Sequence, residues 1–210
     1  MPDYSIYLVT DANCLKGRPL LACVKEALEG GVTLVQYRSK HKDGGPMYLE
    51  ALELKALCDA YRVPLIINDR LDLALAVGAA GVHLGQEDLP CAVARKLAGP
   101  NFLIGVSAHN VEEAEAAIRD GADYLGSGAV FGSLTKDNVG TLGLEGLAKV
   151  CAASNVPVVG IGGVNLSNYA AVLQAGAAGA AIVSGILGAT DIKGEVEALR
   201  AIARASKKDN

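Results

Sequence analysis

Residues 64–85, "PLIINDRLDLALAVGAAGVHLG", contain two apolar runs separated by a stretch with helical spacing. The runs 64–69 and 81–85 are almost continuously apolar, which is typical of parallel strands buried on both faces. Pro64 can open a strand, where a missing N–H is tolerated, and Gly78 is a typical stop signal for the helix between the runs. The segment therefore predicts two parallel strands joined by a helix.

The same pattern repeats along the chain, so that eight apolar runs alternate with helical stretches. The predicted strands are 5–10, 33–38, 64–69, 81–85, 103–107, 124–130, 157–162 and 179–184, and the predicted helices include 48–61, 110–120, 143–153 and 195–206. Eight such units close naturally into a (β/α)₈ TIM barrel, an α/β fold. We expect residues 1–210 to form a single domain, because no linker or shift in composition interrupts the pattern. A doubly wound open sheet is the alternative, although it usually has fewer units.

The composition narrows the class of protein. Of the 210 residues, 51% are hydrophobic and 20% are charged, and the net charge is −4. We expect an aliphatic core, and neither a nucleic-acid-binding surface nor one that binds anionic membranes. No run approaches the ~20 apolar residues that span a bilayer, and no leader pattern is found. Five scattered cysteines without a C-x-x-C pair predict reduced thiols. These features predict a cytoplasmic protein.

One predicted strand carries an unexpected polar face. In "TLVQYRSK" (33–40), Gln36, Arg38 and Lys40 occupy alternate positions, which share one face of a strand. Inward side chains near the carboxyl end of a barrel strand reach the mouth, where active sites lie. Because burying an unpaired cation is costly, we expect an anion beside them. Alternatively, the strand ends at Tyr37 and both cations are solvated loop residues.

Other predicted strands also end in polar residues. Asn68 and Asp69 end the third strand, Asp88 follows the fourth, Ser107 ends the fifth, and Lys136 lies in the long loop after the sixth. Carboxylates close to cations favour Mg²⁺, which usually takes one or two carboxylates together with substrate phosphate oxygens. Together these residues predict a metal–diphosphate site at the mouth of the barrel. Taken singly, Asp69 could instead cap the next helix, and Asp88 could be a solvated loop acid.

The seventh and eighth strands end in small residues. Residues 160–163 read Gly-Ile-Gly-Gly, and the eighth strand ends in Val183, Ser184 and Gly185. In many barrels these two loops hold a phosphate, because glycine lets backbone N–H groups approach the phosphate oxygens. The pattern predicts a second anion site there, with a plain tight turn as the alternative.

The histidines and the common sequence motifs give weaker evidence about function than the strand ends do. His83 lies inside the fourth strand, where we expect a hydrogen-bonded packing role, whereas His109 follows Ser107 and could reach the mouth. The sequence has no His/Cys metal cluster. It also has no G-x-G-x-x-G between a strand and a helix, so a dinucleotide-binding fold is not supported.

Several segments together resemble the thiamine-phosphate synthase family of (β/α)₈ barrels. They run from "YLVTD" (7–11) to "VSGIL" (183–187) and include "GVTLVQYRSK", "PLIINDRLDLALAVGAAGVHLGQEDLP", "IGVSAHNVEEA", "LTKDNVGTLGLEGL" and "PVVGIGGV". No single segment is decisive, but their order and spacing are specific. The resemblance implies a transferase of thiamine biosynthesis. Such an enzyme joins hydroxymethylpyrimidine diphosphate to a thiazole phosphate with the help of Mg²⁺, giving thiamine phosphate and diphosphate.

The resemblance also implies site residues, matched position by position. The diphosphate would be held by Gln36, Arg38, Lys40, Asn68, Ser107 and Lys136, among which Arg38, Ser107 and Lys136 would assist catalysis. Mg²⁺ would be held by Asp69 and Asp88. The thiazole phosphate would be held by Ser133, Thr135, Gly163, Val183 and Ser184. The chain departs from the family at Ser39, commonly Glu, and at residues 131–133, Phe-Gly-Ser where the family usually has Phe-Pro-Thr. The glycine gives that loop more backbone freedom.

The residue inventory fits a dissociative substitution. The attacking thiazole nitrogen carries no proton, so no general base is needed. Arg38, Lys40 and Lys136 would stabilise the negative charge that grows on the departing diphosphate. Removal of one such group, as in Lys136→Ala, is expected to lower kcat on the order of 10²-fold.

Three alternatives stay open. A thiazole tautomerase-like barrel would bind a thiazole phosphate and need a proton-shuttling residue such as His109, but no metal–diphosphate site. A sugar-phosphate isomerase or epimerase would need an acid/base pair that reaches a substrate C–H. A non-catalytic barrel could bind phosphorylated ligands as a regulator. The sequence also leaves open whether the chain forms a homo-oligomer.

Overall fold

The computed structural model describes residues 2–132 and 142–206. Its eight strands are β1 (Ile6–Val9), β2 (Leu34–Tyr37), β3 (Leu65–Asn68), β4 (Gly81–Leu84), β5 (Leu103–Ala108), β6 (Tyr124–Gly128), β7 (Val158–Ile161) and β8 (Gly179–Ile182). Each predicted strand is found. Seven of them are one or two residues shorter than predicted at one or both ends, and β5 is one residue longer.

The strands form a closed parallel barrel in chain order. Closure is carried by β1, in which Leu8 pairs with Val35 of β2 on one side and with Ile182 of β8 on the other. The predicted (β/α)₈ barrel is therefore confirmed, and the open-sheet alternative is wrong. Because all eight strands are parallel, their carboxyl ends meet at one rim.

Helices connect the strands on the outside of the barrel. They are α1 (Leu20–Gly30), α2 (Gly44–Ala60), α3 (Leu71–Ala76), α4 (Cys91–Ala98), α5 (Val111–Arg119), α6 (Gly143–Ala153), α7 (Tyr169–Gln174), α8 (Ser184–Leu187) and α9 (Ile192–Ser206), and a 3₁₀ helix (Ala12–Cys14) follows β1. Local sequence explains their ends. Asn110 caps α5, as its side chain accepts from the Glu113 N–H at 2.8 Å. The helix α2 begins before the predicted residue 48, because Pro46 is tolerated in a first turn.

The core has two layers, separated by the alternation of side chains along each strand. On β1, Ile6 and Leu8 point outward into the layer between strands and helices. Tyr7 and Val9 point inward into a smaller cluster that fills the barrel. The composition predicts an aliphatic core, but the core also contains tyrosines. They are its largest fully buried side chains: Tyr7, Tyr37, Tyr124 and Tyr169. Each brings a hydroxyl that needs a hydrogen-bond partner.

Across residues 2–132 and 142–206, none of the helices combines the length and the apolar character needed to cross a bilayer.

Candidate active site

A cavity of about 980 Å³ opens at the rim where the carboxyl ends of the strands meet. Its volume is at the upper end of the range for small-molecule sites. The predicted site residues within the described ranges all line it: Gln36, Arg38, Lys40, Asn68, Asp69, Asp88, Ser107, Gly163, Val183 and Ser184. Three further predicted residues, Ser133, Thr135 and Lys136, lie outside the described residues.

The lining differs from one side of the mouth to the other. The segments that follow β2, β3 and β4 contribute the charged half, formed by Arg38, Lys40, Asp69 and Asp88. The ends of β6, β7 and β8 contribute the glycine half, formed by Gly128, Gly162, Gly163 and Gly185. The two halves therefore offer different means of binding an anion: side-chain charge on one side and closely approachable backbone on the other.

Arg38 is held at the mouth by the end of β1. The strand β2 ends at Tyr37, as the alternative supposed, but the Arg38 side chain is only 14% exposed rather than solvated. Its Nη1 lies 2.5 Å from Oδ2 of Asp11, and its backbone N–H donates to Oγ1 of Thr10 at 2.9 Å. A partner for Arg38 is thus already present within the chain, and sequence reasoning missed Asp11 because the pair joins residues distant along the chain.

Asp69 adopts a backbone conformation that is uncommon for a residue with a side chain. Its φ is +63°, in the left-handed region that costs about 1 kcal/mol for residues other than glycine. The carboxylate meets Lys40, whose Nζ lies 2.5 Å from Oδ2. Lys40 is half exposed, as the solvated-loop alternative expected, but it is bound to an acid of the mouth. Strain of this kind is characteristic of functional sites.

The carboxyl groups of Asp69 and Asp88 are hydrogen-bonded to each other, and their pKa values move in opposite directions. Burial raises the pKa of Asp88, and the neighbouring Asp69 raises it further. Burial also raises the pKa of Asp69, but hydrogen bonds from Lys40 and Asp88 outweigh that effect and leave this pKa below its usual value. Of the two carboxyl groups, Asp88 is therefore the one that takes up a proton first as the pH falls.

The turn after β4 fixes the position of Asp88. Its Oδ2 accepts from the Gly85 N–H at 2.7 Å, and its own N–H donates to the Gly85 carbonyl at 3.2 Å. Two adjacent carboxyl groups of this kind can bind a divalent cation, and one or two carboxylates are the usual protein contribution to a Mg²⁺ site. Among the residues that the structure describes, no larger group of His, Cys, Asp or Glu able to hold a metal is found.

In the glycine half, the backbones of neighbouring loops pack closely against one another. Gly162 and Gly163 have φ values of +97° and +68°. A Cβ at Gly163 would lie 2.9 Å from the Gly132 carbonyl oxygen, and one at Gly185 would lie 2.5 Å from the Val164 carbonyl oxygen. The loops after β6, β7 and β8 thus touch one another, and only glycine fits at these contacts.

His109 also lines the cavity, at the boundary between the two halves. Its Nδ1 and its backbone N–H both lie 2.8 Å from Oε2 of Glu113. Burial raises the pKa of Glu113, but the hydrogen bonds from His109 outweigh burial and lower it overall. The imidazole is thereby oriented by a carboxylate one helical turn away.

Gln36 and Ser107 reach the cavity from inside the barrel. Gln36 Nε2 donates to the Tyr7 hydroxyl at 2.7 Å, and Ser107 Oγ lies 3.1 Å from Nε2 of His83. His83 is hydrogen-bonded within the barrel, in keeping with the packing role expected for it. Sequence reasoning missed Tyr7 and Tyr124, although an inward-facing tyrosine in an otherwise aliphatic strand is a readable signal of a buried polar partner.

Comparisons with known proteins agree with one another. The family model described as thiamine monophosphate synthase matches residues 6–186. A thiamine-phosphate synthase of Chloroflexus aurantiacus is 50% identical over 201 residues, which are 95% of this chain and 93% of the relative. One of Clostridium acetobutylicum is 49% identical over 191 residues, covering 91% and 90%. The solved thiamine phosphate pyrophosphorylase from Pyrococcus furiosus is 40% identical, covers 98% of both chains and has a TM-score of 0.90.

Proposed function

The chain belongs to the thiamine monophosphate synthase family, and from that premise we propose how the mouth of its barrel carries out the reaction. The protein is a transferase that forms thiamine phosphate. The observation that carries the residue assignments is the cavity itself, because it assembles cations, a carboxyl pair and a glycine-lined loop at one rim.

The charged half binds the diphosphate of hydroxymethylpyrimidine diphosphate in this proposal. Arg38 and Lys40 supply positive charge, with Lys136 as a further cation predicted from the sequence. Gln36, Asn68 and Ser107 offer polar groups on the same side of the cavity. Charge-assisted hydrogen bonds of this type are roughly twice as strong as neutral ones.

Asp69 and Asp88 are the proposed ligands of Mg²⁺, and their chemistry fits the ion. Two carboxylates provide hard oxygen donors, and a diphosphate would supply further oxygens. When bound, Mg²⁺ would neutralise part of the diphosphate charge in the transition state. The chain itself prepares the pair, because Lys40 keeps Asp69 ionised and the Gly85 N–H orients Asp88.

The glycine half binds the phosphate of the thiazole substrate. Gly163 and the segment Val183–Ser184 line the cavity, and Ser133 and Thr135 stay further members of this site predicted from the sequence. The close contact of the loops after β7 and β8 supports a backbone-lined anion site between them.

The chain's contribution to the chemistry is positioning and charge stabilisation. The thiazole nitrogen attacks without losing a proton, so the site needs no general base for the nucleophile. The bond between the pyrimidine methylene and the diphosphate oxygen breaks, and Arg38 and Lys40 stabilise the leaving group. Holding both rings in one cavity replaces a bimolecular encounter by a fixed geometry.

The deciding experiment is an assay of thiamine phosphate and diphosphate formation with both substrates. With Mg²⁺ we expect both products in equal amounts, and excess chelator should abolish turnover until Mg²⁺ is restored. Full turnover in chelator would refute the assignment of the acid pair. Conversion of a thiazole phosphate alone, without a pyrimidine substrate, would favour the tautomerase alternative and place His109 and Glu113 at the centre of the reaction.

Cytoplasmic location and the formation of a homo-oligomer stay predictions from the sequence. Fractionation of the source cells and sedimentation of the purified chain would test them.

A further inference from the structure

Below the mouth, one chain of hydrogen bonds crosses the inside of the barrel. It is formed by Gln36 on β2, Tyr7 on β1, Tyr124 on β6, His83 on β4 and Ser107 on β5, which we call the barrel relay. Gln36 Nε2 lies 2.7 Å from the Tyr7 hydroxyl, and the two tyrosine hydroxyls are 2.8 Å apart. The Tyr124 hydroxyl lies 3.1 Å from His83 Nδ1, and His83 Nε2 lies 3.1 Å from Ser107 Oγ. Both ends of the barrel relay line the cavity.

The barrel relay is shielded from water over most of its length. Tyr7 and Tyr124 are fully buried, and Gln36 is 4% exposed. In such surroundings every hydrogen bond is stronger than in water, and a group left without a partner is costly. The arrangement of protons in the relay is therefore strongly constrained.

Two glycines on inward-facing strand positions make room for the barrel relay. A Cβ at Gly105 would lie 2.1 Å from the Tyr124 ring, and a Cβ at Gly126 would lie 2.9 Å from the His83 ring. Both rings occupy space that a side chain at position 105 or 126 would fill. The barrel interior is thus shaped around these two side chains.

The direction of each hydrogen bond follows from the chemistry of the donors. An amide nitrogen donates and does not accept, so the Tyr7 hydroxyl accepts from Gln36. Among the described residues, the remaining partner for the buried proton of Tyr7 is the Tyr124 hydroxyl, and this favours donation from Tyr7 to Tyr124. Burial raises the pKa of both phenols, so each keeps its single proton at neutral pH. Tyr124, having accepted from Tyr7, donates to Nδ1 of His83.

The same reasoning indicates the tautomer of His83. An Nδ1 that accepts from Tyr124 leaves Nε2 as the nitrogen that carries the proton. That proton is donated to Ser107 Oγ. The hydroxyl proton of Ser107 cannot point back along this bond and must be directed elsewhere.

We propose that the barrel relay sets the direction in which Ser107 donates its hydroxyl proton, and that this direction is into the mouth. Tyr7, Tyr124 and His83 are then positioning residues, which act on the substrate through Gln36 and Ser107. The inference rests on the proposed function, because it supplies an oriented donor for the oxygens of a bound diphosphate. A donor that needs no reorientation during the reaction favours the charged transition state.

The tautomer of His83 can be read directly from the ¹⁵N NMR spectrum of the protein without substrate. The chain has three histidines, so spectra of His41→Gln and His109→Gln variants assign the signals. We expect Nδ1 of His83 to be unprotonated and Nε2 to carry the proton. In Tyr124→Phe, which retains the ring but removes the hydroxyl, we expect a mixture of both tautomers. Protonated Nδ1 in the unaltered protein, or a tautomer unaffected by Tyr124→Phe, would overturn the proposal.

Kinetics provide the second readout. Loss of one neutral hydrogen bond predicts that Tyr124→Phe lowers kcat about tenfold. If Tyr124 acts through Ser107, its replacement in a Ser107→Ala background should lower kcat less than about twofold further, because coupled residues are not additive. Fully additive losses would overturn the proposal.

Tyr169→Phe is the matched control. Tyr169 is also fully buried, and its hydroxyl donates to the Ser5 carbonyl at 2.6 Å, apart from the relay. We expect this variant to lose thermal stability to a similar degree as Tyr124→Phe while keeping its kcat. Equal loss of kcat in both variants would show a general effect of stability and refute the relay. Absence of thiamine phosphate formation by the unaltered protein would refute the proposed function alone, since the His83 tautomer is measured without turnover.

Discussion

The charged half and the glycine half of the mouth are both built from the ends of parallel strands, yet they offer a bound anion different surfaces. In the charged half, side chains form close ion pairs, such as Lys40 with Asp69 at 2.5 Å. In the glycine half, backbone with positive φ at Gly162 and Gly163 comes within contact distance of the loop after β6. Concentrated charge suits a diphosphate with its metal, whereas a backbone cradle suits a single phosphate group. One rim can thus keep two phosphorylated substrates apart.

The largest expected effect comes from removing a charge of the charged half. Lys40→Ala should lower kcat/KM for the pyrimidine diphosphate on the order of 10²-fold, as expected for loss of one charge-stabilising group. The KM for the thiazole phosphate should change little, because our proposal places that substrate in the other half. Steady-state kinetics with each substrate varied in turn provide the measurement.

Lys42→Ala is the control for that change. Lys42 forms an ion pair of the same length with Glu50 and is similarly exposed, with a side-chain exposure of 43% against 47% for Lys40. It points toward α2 rather than into the cavity, so we expect unchanged kinetics. Equal losses in the two variants would mean that general surface charge, and not the position of Lys40, attracts the substrate.

A smaller effect is expected in the glycine half. Gly163→Ala places a Cβ 2.9 Å from the Gly132 carbonyl oxygen and should displace the loop after β7. We expect the KM for the thiazole phosphate to rise on the order of tenfold, about the loss of one hydrogen bond to a charged group. The KM for the pyrimidine diphosphate should stay the same.

Gly78→Ala separates backbone strain from displacement of the loop. Gly78 has a φ of +65°, close to the +68° of Gly163, but a Cβ there meets nothing within 4 Å. Each substitution should cost about 1 kcal/mol of stability through the left-handed backbone. Only Gly163→Ala should also change the KM for the thiazole phosphate. An equal change in Gly78→Ala would contradict a role of the glycine half in binding that substrate.

The smallest expected effect concerns Glu113, at the boundary between the halves. Its lowered pKa contributes stability that is fully present above the usual glutamate pKa of 4.5 and is lost as the pH falls through the lowered value. Because the side chain is 30% exposed, the contribution is below about 1 kcal/mol. Glu113→Gln should therefore lose less stability than the unaltered protein when denaturation is followed from neutral to acid pH.

Glu115→Gln tests whether that effect belongs to the pair with His109. Glu115 lies on the same helix, 4.0 Å from Arg119, and is more than half exposed. A surface pair of this kind contributes little, so this variant should keep the pH dependence of the unaltered protein. If the stability of both variants depended less on acid pH to the same degree, the effect would belong to the charge of the helix in general.

The sequence predicted the architecture well because its signal is local. Each strand needs only a short apolar run, and each helix stop only a glycine such as Gly78 or Gly121, so the eight units could be read in order. Strand ends were less exact, since pairing with neighbours decides where a ladder stops. The ends of β2 and β6 fell short of the predicted residues 38 and 130.

The candidate site was predicted in part for the same reason. Charges that follow a strand directly, such as Asp69, were readable as members of the mouth. The contact of Asp11 with Arg38 and the barrel relay were not, because they join side chains of different strands. Some of these, such as Tyr7 on β1 and Tyr124 on β6, meet only across the closed barrel. The alternation of a strand shows that Tyr7 faces inward, but not which hydroxyl it meets.

A crystal structure with Mn²⁺, thiamine phosphate and diphosphate tests the division of the mouth most directly, because anomalous scattering locates the cation. We predict the cation between Asp69 and Asp88, the diphosphate beside Arg38 and Lys40, and the phosphate of thiamine phosphate against Gly163 and Ser184. Exchange of the two phosphorylated groups, or a cation bound away from the acid pair, would contradict the account.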